Sequence, residues 1–144
     1  MKGKCLCGKV EFEFKGKLPS LYQCHCSLCR KQGGSSSNSA TIVPLDSLRW
    51  IQGEEQITRY RKASGFSSFF CPECGCPVPN QLRDSEYYWV PAGLLEDSSE
   101  LKVVMHIYTD SKADWDEIPS NGEHFEEMPD LDTFNRILNH KQDR

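Results

Sequence analysis

Hydrophobic and polar side chains alternate near the start of the chain. In residues 3–14, three apolar side chains beginning at Val10 alternate with two glutamates. A period of two residues indicates a half-buried β-strand. The pattern predicts a strand from Val10, preceded by a turn at Cys5-x-Cys7-Gly8. If Cys5 and Cys7 continued the strand, they would point to the same face.

Similar short segments recur along the chain, rich in β-branched and aromatic residues and separated by turn-forming residues. They predict hairpin-connected strands of an antiparallel sheet at 40–43, 48–51 and 56–61, and further strands at 87–90 and 101–108.

Helical patterns are short. Asp130 can cap a segment in which Leu131, Phe134, Ile137 and Leu138 share one face, which predicts a C-terminal helix. A turn of helix is expected within 110–118. Residues 30–38 carry no large hydrophobic side chain and predict a loop. The expected fold class is mainly β with short helices.

The size of the chain fits one domain. Its 144 residues show no internal repeat and no linker, so 1–144 is predicted to form a single domain. The net charge of -4 disfavours nucleic acid as a partner, because phosphate contacts need positive charge. No apolar run approaches the roughly 18 residues of a membrane span, and no signal peptide precedes Cys5. We therefore expect a cytoplasmic protein without a membrane partner.

The eight cysteines are clustered. In a reducing compartment, clustered thiols bind metal more often than they form disulfides. Their positions are the pair Cys5 and Cys7, the triplet Cys24, Cys26 and Cys29, the pair Cys71 and Cys74, and Cys76 two residues beyond.

The two pairs together make the four thiolates of a closed structural zinc site, and two zinc ions per chain are expected. The triplet then stands alone with an open fourth position, as in catalytic zinc sites. The alternative is that Cys76, His25 or another histidine fills that position and makes the second site structural as well. His106, His124 and His140 are interpreted as ordinary surface or strand residues.

A zinc ion with three thiolates suits a further sulfur ligand better than water. A substrate thiol bound there would lose its proton and remain nucleophilic, so thiolate attack on an electrophile is the expected reaction. Arg30 and Lys31 follow the triplet directly. They are interpreted either as a solvated turn or as weak contacts for an anion on the thiol substrate.

The cysteine motifs resemble those of the glutathione-dependent formaldehyde-activating family, which includes centromere protein V. The resemblance rests on motifs in the same order from residue 3 to 115: Gly3-x-Cys5-x-Cys7-Gly8-x-Val10-x-Phe12, Cys24-His25-Cys26-x-x-Cys29-Arg30-Lys31-x-x-Gly34, Phe70-Cys71-x-x-Cys74-Gly75, His106-Ile107 and Asp110-Ser111-Lys112-Ala113-x-Trp115.

The resemblance implies an antiparallel β-tent fold with zinc near the sheet junction. It also implies that Cys5, Cys7, Cys71 and Cys74 hold a structural zinc, and that Cys24, Cys26 and Cys29 hold a catalytic one. The implied activity is that of a carbon–sulfur lyase that joins glutathione and formaldehyde into S-hydroxymethylglutathione. The competing hypothesis is a non-catalytic zinc module that binds a protein partner.

Overall fold

The chain divides into two compact units within residues 1–140, which the computed structural model of the protein describes. The first unit contains Met1–Leu18 and Ile42–Glu100, and the second contains Pro19–Thr41 and the residues from Leu101 onward. The prediction that 1–144 is a single domain stays a prediction, and its last four residues lie outside the described part of the chain.

Strands outnumber α-helices in residues 1–140. In chain order the elements are β1 (Lys2–Lys4), β2 (Glu11–Phe14), β3 (Leu21–Cys24), α1 (Ser27–Gly33), β4 (Asn38–Pro44), β5 (Leu48–Gln52), β6 (Thr58–Arg61), β7 (Ser67–Phe70), β8 (Asn80–Gln81), β9 (Tyr87–Pro91), β10 (Val103–Ile107), β11 (Glu123–His124) and α2 (Leu131–Asn139). Short 3-10 turns cover Leu45–Ser47, Glu54–Gln56, Ala92–Leu94 and Thr109–Ser111.

The first unit is built on antiparallel pairs. Strand β2 lies between β1 and β5, with Phe12 opposite both Gly3 and Trp50. Phe12 is fully buried and makes edge-on ring contacts with Phe14 and Trp50. A Cβ on Gly3 would lie 2.5 Å from the Phe12 ring, so glycine is required where the ring crosses β1. Strand β6 pairs with β7, and β8 pairs with β9.

The second unit has a mixed sheet. Strand β3 pairs in parallel with β10 and antiparallel with β4, and β10 pairs in parallel with β11. The sequence predicted β4 and β10 but neither β3 nor β11, and a hydrophobic pattern carries no information on strand direction. Two parallel pairs therefore stand within a fold that the sequence predicted to be antiparallel.

Helix α2 covers part of the second unit's sheet. The carboxylate of Asp130 accepts the N–H of Thr133 at 2.9 Å and caps the helix, as predicted. Phe134 and Leu138 are buried, and the Phe134 ring contacts Tyr22 of β3 edge-on, with centroids 4.7 Å apart. The apolar face of the helix is thus fixed to β3.

The mainly β fold with a C-terminal helix is confirmed. The predicted loop over 30–38 was wrong at its start, because α1 continues to Gly33 and the loop begins at Gly34, whose left-handed backbone ends the helix. The turn predicted at residues 5–8 lies between β1 and β2, and the strand predicted from Val10 forms as β2. Across 1–140, no helix combines the length and the apolar character that crossing a membrane requires.

Candidate metal centres

The first cluster brings together the two cysteine pairs of the first unit. The sulfurs of Cys5, Cys7, Cys71 and Cys74 all lie within 4.8 Å of one another. The Sγ atoms of Cys5 and Cys7 are 3.6 Å apart, and those of Cys7 and Cys71 are 3.7 Å apart. Four sulfurs placed about 2.3 Å from a tetrahedral zinc ion would be about 3.8 Å from one another. The spacing therefore fits zinc.

Tight turns, and not a strand, present these thiols. The N–H of Gly8 donates to the carbonyl of Cys5 at 3.1 Å, in the turn between β1 and β2. The N–H of Gly75 donates to the carbonyl of Cys71 at 2.8 Å, in the turn after β7. Both glycines have a positive φ, of 83° and 74°. In both turns a glycine with a left-handed backbone donates to the carbonyl of a cysteine, over three residues in the first and over four in the second.

Cys76 lies beside this cluster without joining it. Its carbonyl accepts the N–H of Cys71 at 3.0 Å, and its side chain packs against the buried group that includes Cys5 and Cys71. Its thiol donates to the carbonyl of Pro77 at 3.5 Å. The sequence left the role of Cys76 open, and the structure gives it a packing role in the first unit.

The second cluster lies in the second unit, where β3 leads into α1. The sulfurs of Cys24, Cys26 and Cys29 lie within 4.8 Å of one another. Cys24 ends β3, Cys26 is the N-cap of α1 and Cys29 lies one turn into the helix. Cys24 and Cys29 are buried, whereas Cys26 is half-buried. Cys26 is therefore the most accessible thiol of the three.

Three thiols this close together influence one another's ionisation. Hydrogen bonds from the thiols of Cys24 and Cys29 lower the pKa of Cys26. The same contact with Cys26 raises the pKa of Cys24, and the contacts with Cys24 and Cys26 raise the pKa of Cys29. The Cys26 thiolate thus forms readily, and its negative charge opposes ionisation of the other two thiols. A bound cation would remove this opposition.

The donor chemistry of both clusters fits a soft or borderline metal ion. Every donor is a sulfur, and thiolate ligands favour zinc over magnesium or calcium, which prefer oxygen. Both clusters could hold a metal ion, and the residues that would hold it are those predicted from the sequence.

Arg30 and Lys31 lie on α1 beside the second cluster. The Arg30 guanidinium donates through Nη2 to the carbonyl of Ser111 at 3.4 Å. The Arg30 Nε is buried and has no hydrogen-bond partner within the described chain. Lys31 is exposed. Their predicted contact with a substrate anion remains a prediction.

A buried histidine network adjoins the second cluster and was missed from the sequence. His25 is 2% exposed, and its Nδ1 lies 2.7 Å from the Asp116 carboxylate. Its Nε2 lies 3.0 Å from Nδ1 of His106, which is also 2% exposed. The ring of His106 contacts that of His124, with centroids 5.1 Å apart. Burial, followed by the charges of His25 and His124, lowers the pKa of His106 to about 4.

The interpretation of His106 as an ordinary surface or strand residue was therefore incomplete. It does lie in a strand, β10, but it is buried and linked to the segment between two cluster thiols. The apolar neighbours of His106 in the sequence could have indicated its burial. Nothing in the sequence connects Asp116 with His25, which is 91 residues away.

The cysteine clusters lie in a segment that matches a known protein family. The family model described as "Glutathione-dependent formaldehyde-activating enzyme" matches residues 1–111. The chain belongs to this family. The matched residues include both cysteine clusters, whereas Asp116 and helix α2 follow the matched segment.

The chain is also similar to one curated protein of this kind and to a solved structure. A Halomonas elongata protein named "Putative glutathione-dependent formaldehyde-activating enzyme" is 24% identical over 128 residues, which cover 83% of this chain and 82% of the relative. A crystal structure of a Rhodobacter sphaeroides protein is 34% identical and superposes with a TM-score of 0.57. That match covers 67% of this chain and 88% of the other.

Proposed function

We propose that this protein is a zinc-dependent carbon–sulfur lyase of the glutathione-dependent formaldehyde-activating type. The substrate would be a small-molecule thiol, glutathione in the first instance, and formaldehyde or a related small electrophile. The thiol sulfur forms a bond to the carbonyl carbon, the C=O π bond opens, and the oxygen takes up the proton that the thiol gives up. The product is S-hydroxymethylglutathione, and the reverse reaction is the lyase direction.

The observation that supports this proposal is that the second cluster has three ligands. Among residues 1–140, no fourth cysteine, histidine or carboxylate joins Cys24, Cys26 and Cys29 within the distance that groups them. His25 was the nearest candidate in the sequence, but both its ring nitrogens already face partners, Asp116 and His106. Three protein ligands are typical of catalytic zinc sites, and four of structural ones.

Zinc bound by these three thiolates would supply a position at which an added thiol loses its proton while its sulfur stays nucleophilic. The chain's own contribution is to hold the three sulfurs together. The end of β3 fixes Cys24, and the first turn of α1 fixes Cys26 and Cys29. The half-buried Cys26 leaves the accessible side of the cluster for the substrate.

The four-cysteine cluster is proposed to hold a second, structural zinc ion in the first unit. Arg30 and Lys31 are proposed to attract the carboxylates of glutathione. Arg30 is the better candidate, since the bond from its Nη2 to the carbonyl of Ser111 holds its guanidinium in place. We further propose that the protein acts in the cytoplasm, where glutathione is kept reduced.

The proposal is tested by following glutathione and formaldehyde by NMR in the presence of zinc-loaded protein. We expect faster exchange between glutathione and its hydroxymethyl adduct than in buffer alone. The Cys26→Ser protein should lose this acceleration, while Cys76→Ser should keep it. If the wild-type protein gives no acceleration with any small thiol, the lyase proposal fails and a protein-binding zinc module becomes the better explanation.

A further inference from the structure

His25 is held by three hydrogen bonds although it lies between two thiols of the second cluster. Its backbone N–H donates to the carbonyl of Ile107 at 3.0 Å. Its Nδ1 is 2.7 Å from Oδ2 of Asp116, and its Nε2 is 3.0 Å from Nδ1 of His106. A ring that is 2% exposed and bonded at both nitrogens has no freedom to turn.

Because His25 is fixed, the two cysteines on either side of it are held in place as well. Cys24 and Cys26 flank it in the sequence, and their sulfurs converge with that of Cys29, while the His25 ring is engaged with Asp116 and His106. The hydrogen bonds of the ring and of the His25 backbone N–H together fix the residue that joins the two thiols. The ring is thus an anchor for the segment.

The strongest of the three contacts is the one with Asp116. An ionised carboxylate only accepts hydrogen bonds, so Nδ1 of His25 must carry the proton. The Asp116 side chain is only 9% exposed, and a charge-assisted bond at low exposure is stronger than one between neutral groups. The Lys112 ammonium nearby donates to the backbone carbonyl of Asp116, at 3.1 Å.

We propose that Asp116 is a positioning residue for the three-thiol cluster, acting through His25. By fixing the proton and the orientation of the His25 ring, the carboxylate holds Cys24 and Cys26 in the arrangement that binds metal. The inference rests on the proposed function, since it assigns the cluster a metal ion. It extends the functional residues beyond the segment that the family model matches, which ends at residue 111.

The variant that tests this role is Asp116→Asn, which keeps the size of the side chain and removes the charge. Its matched control is Asp114→Asn, two residues earlier, where the side chain is exposed. Zinc affinity is measured by competition with a chromophoric chelator in the full chain, which carries two clusters. The four-thiol cluster is the internal control, because a general loss of stability would not single out the other cluster.

We expect Asp116→Asn to weaken the affinity of the three-thiol cluster for zinc by roughly 10–100-fold, as is usual for residues that orient a metal site. The affinity of the four-thiol cluster and both affinities in Asp114→Asn should stay unchanged. Equal affinities in Asp116→Asn and wild type would overturn the inference, as would an equal weakening of both clusters. If the wild-type protein binds a single zinc ion, the proposed function itself fails.

Histidine ring NMR on the wild-type protein gives a second readout that needs neither a variant nor activity. We expect His25 to carry its proton on Nδ1 and to exchange it slowly with water, with or without metal. A His25 ring protonated on Nε2 alone would overturn the role of Asp116, even in a protein that binds two zinc ions.

Discussion

The backbone N–H of Cys29 donates a 3.3 Å hydrogen bond to Sγ of Cys26. Cys26 therefore caps the helix on which Cys29 lies, and the same two sulfurs belong to the three-thiol cluster. One side chain thus takes part both in the first turn of α1 and in the cluster. This explains how a helix of only seven residues can hold two of the three sulfurs in place.

This double role of Cys26 can be separated by substitution. Cys26→Ser should keep a capping oxygen and the fold but lose the metal and the activity. Cys26→Ala should lose the cap as well and be about 1 kcal/mol less stable than the serine variant. Thermal unfolding and zinc content measure the two effects. A serine variant that fails to fold would assign the cluster a structural role.

The four-thiol cluster should behave differently, because it joins two distant turns of the first unit. Cys71 is 1% exposed, and a structural zinc can contribute on the order of 10 kcal/mol to folding. Cys71→Ser should therefore unfold the first unit. Cys76→Ser is the control and should stay within about 1 kcal/mol of wild type. Chemical denaturation with amide NMR distinguishes the units, and a folded Cys71→Ser protein would contradict the structural role.

The cysteine groups could be predicted from the sequence because each group is local. Cys24, Cys26 and Cys29 lie within six residues, and a turn or helix start brings them together in almost any fold. The pairing of Cys5 and Cys7 with Cys71 and Cys74 followed from counting ligands, and the structure brings these four together.

The direction of the strands and the long-range polar contacts could not be predicted from local patterns. β-Branched and aromatic residues predicted β10, but β3 was not predicted as a strand. Such a composition is the same for either direction, and the structure pairs β3 and β10 in parallel. The contact between His25 and Asp116 depends on that pairing and on the chain beyond β10. No local pattern encodes it.

Gly53 is required by its surroundings as well as by its backbone. Its φ is +85°, and a Cβ there would lie 2.2 Å from the carbonyl oxygen of Lys9 and 2.9 Å from the Cα of Val10. Gly16 has a φ of +74° with open space around it. Gly16→Ala should cost about 1–2 kcal/mol, and Gly53→Ala roughly 1–3 kcal/mol more. Urea denaturation measures both variants. An equal loss of unfolding free energy in Gly16→Ala and Gly53→Ala would show that the chain shifts to relieve the predicted clash.

Stability should fall with acid through His106. Its pKa is about 4 in the folded protein and 6.5 ordinarily, so between these values the unfolded chain binds a proton that the folded chain does not. The contribution of the neutral ring is complete above pH 6.5 and is lost as the pH falls toward 4. His25, His124 and Asp116 face this ring, and only the Asp116 carboxylate favours its protonation.

His106→Gln removes this titration. We therefore expect the free energy of unfolding to fall more steeply in wild type than in His106→Gln between pH 7 and pH 5, with zinc in excess. If the free energy of unfolding changes equally with pH in both proteins, His106 has the same pKa in the folded and unfolded states.

The central claim is that the cluster of Cys24, Cys26 and Cys29 holds a metal ion with a position open to a thiol. Calorimetric titration of glutathione into the zinc-loaded protein tests it most directly, with S-methylglutathione as the ligand that cannot form a thiolate. We predict that glutathione binds with release of a proton, seen as a dependence of the heat on the buffer, and that S-methylglutathione does not bind in this way. Equal binding of both ligands, or binding of neither, would contradict the claim.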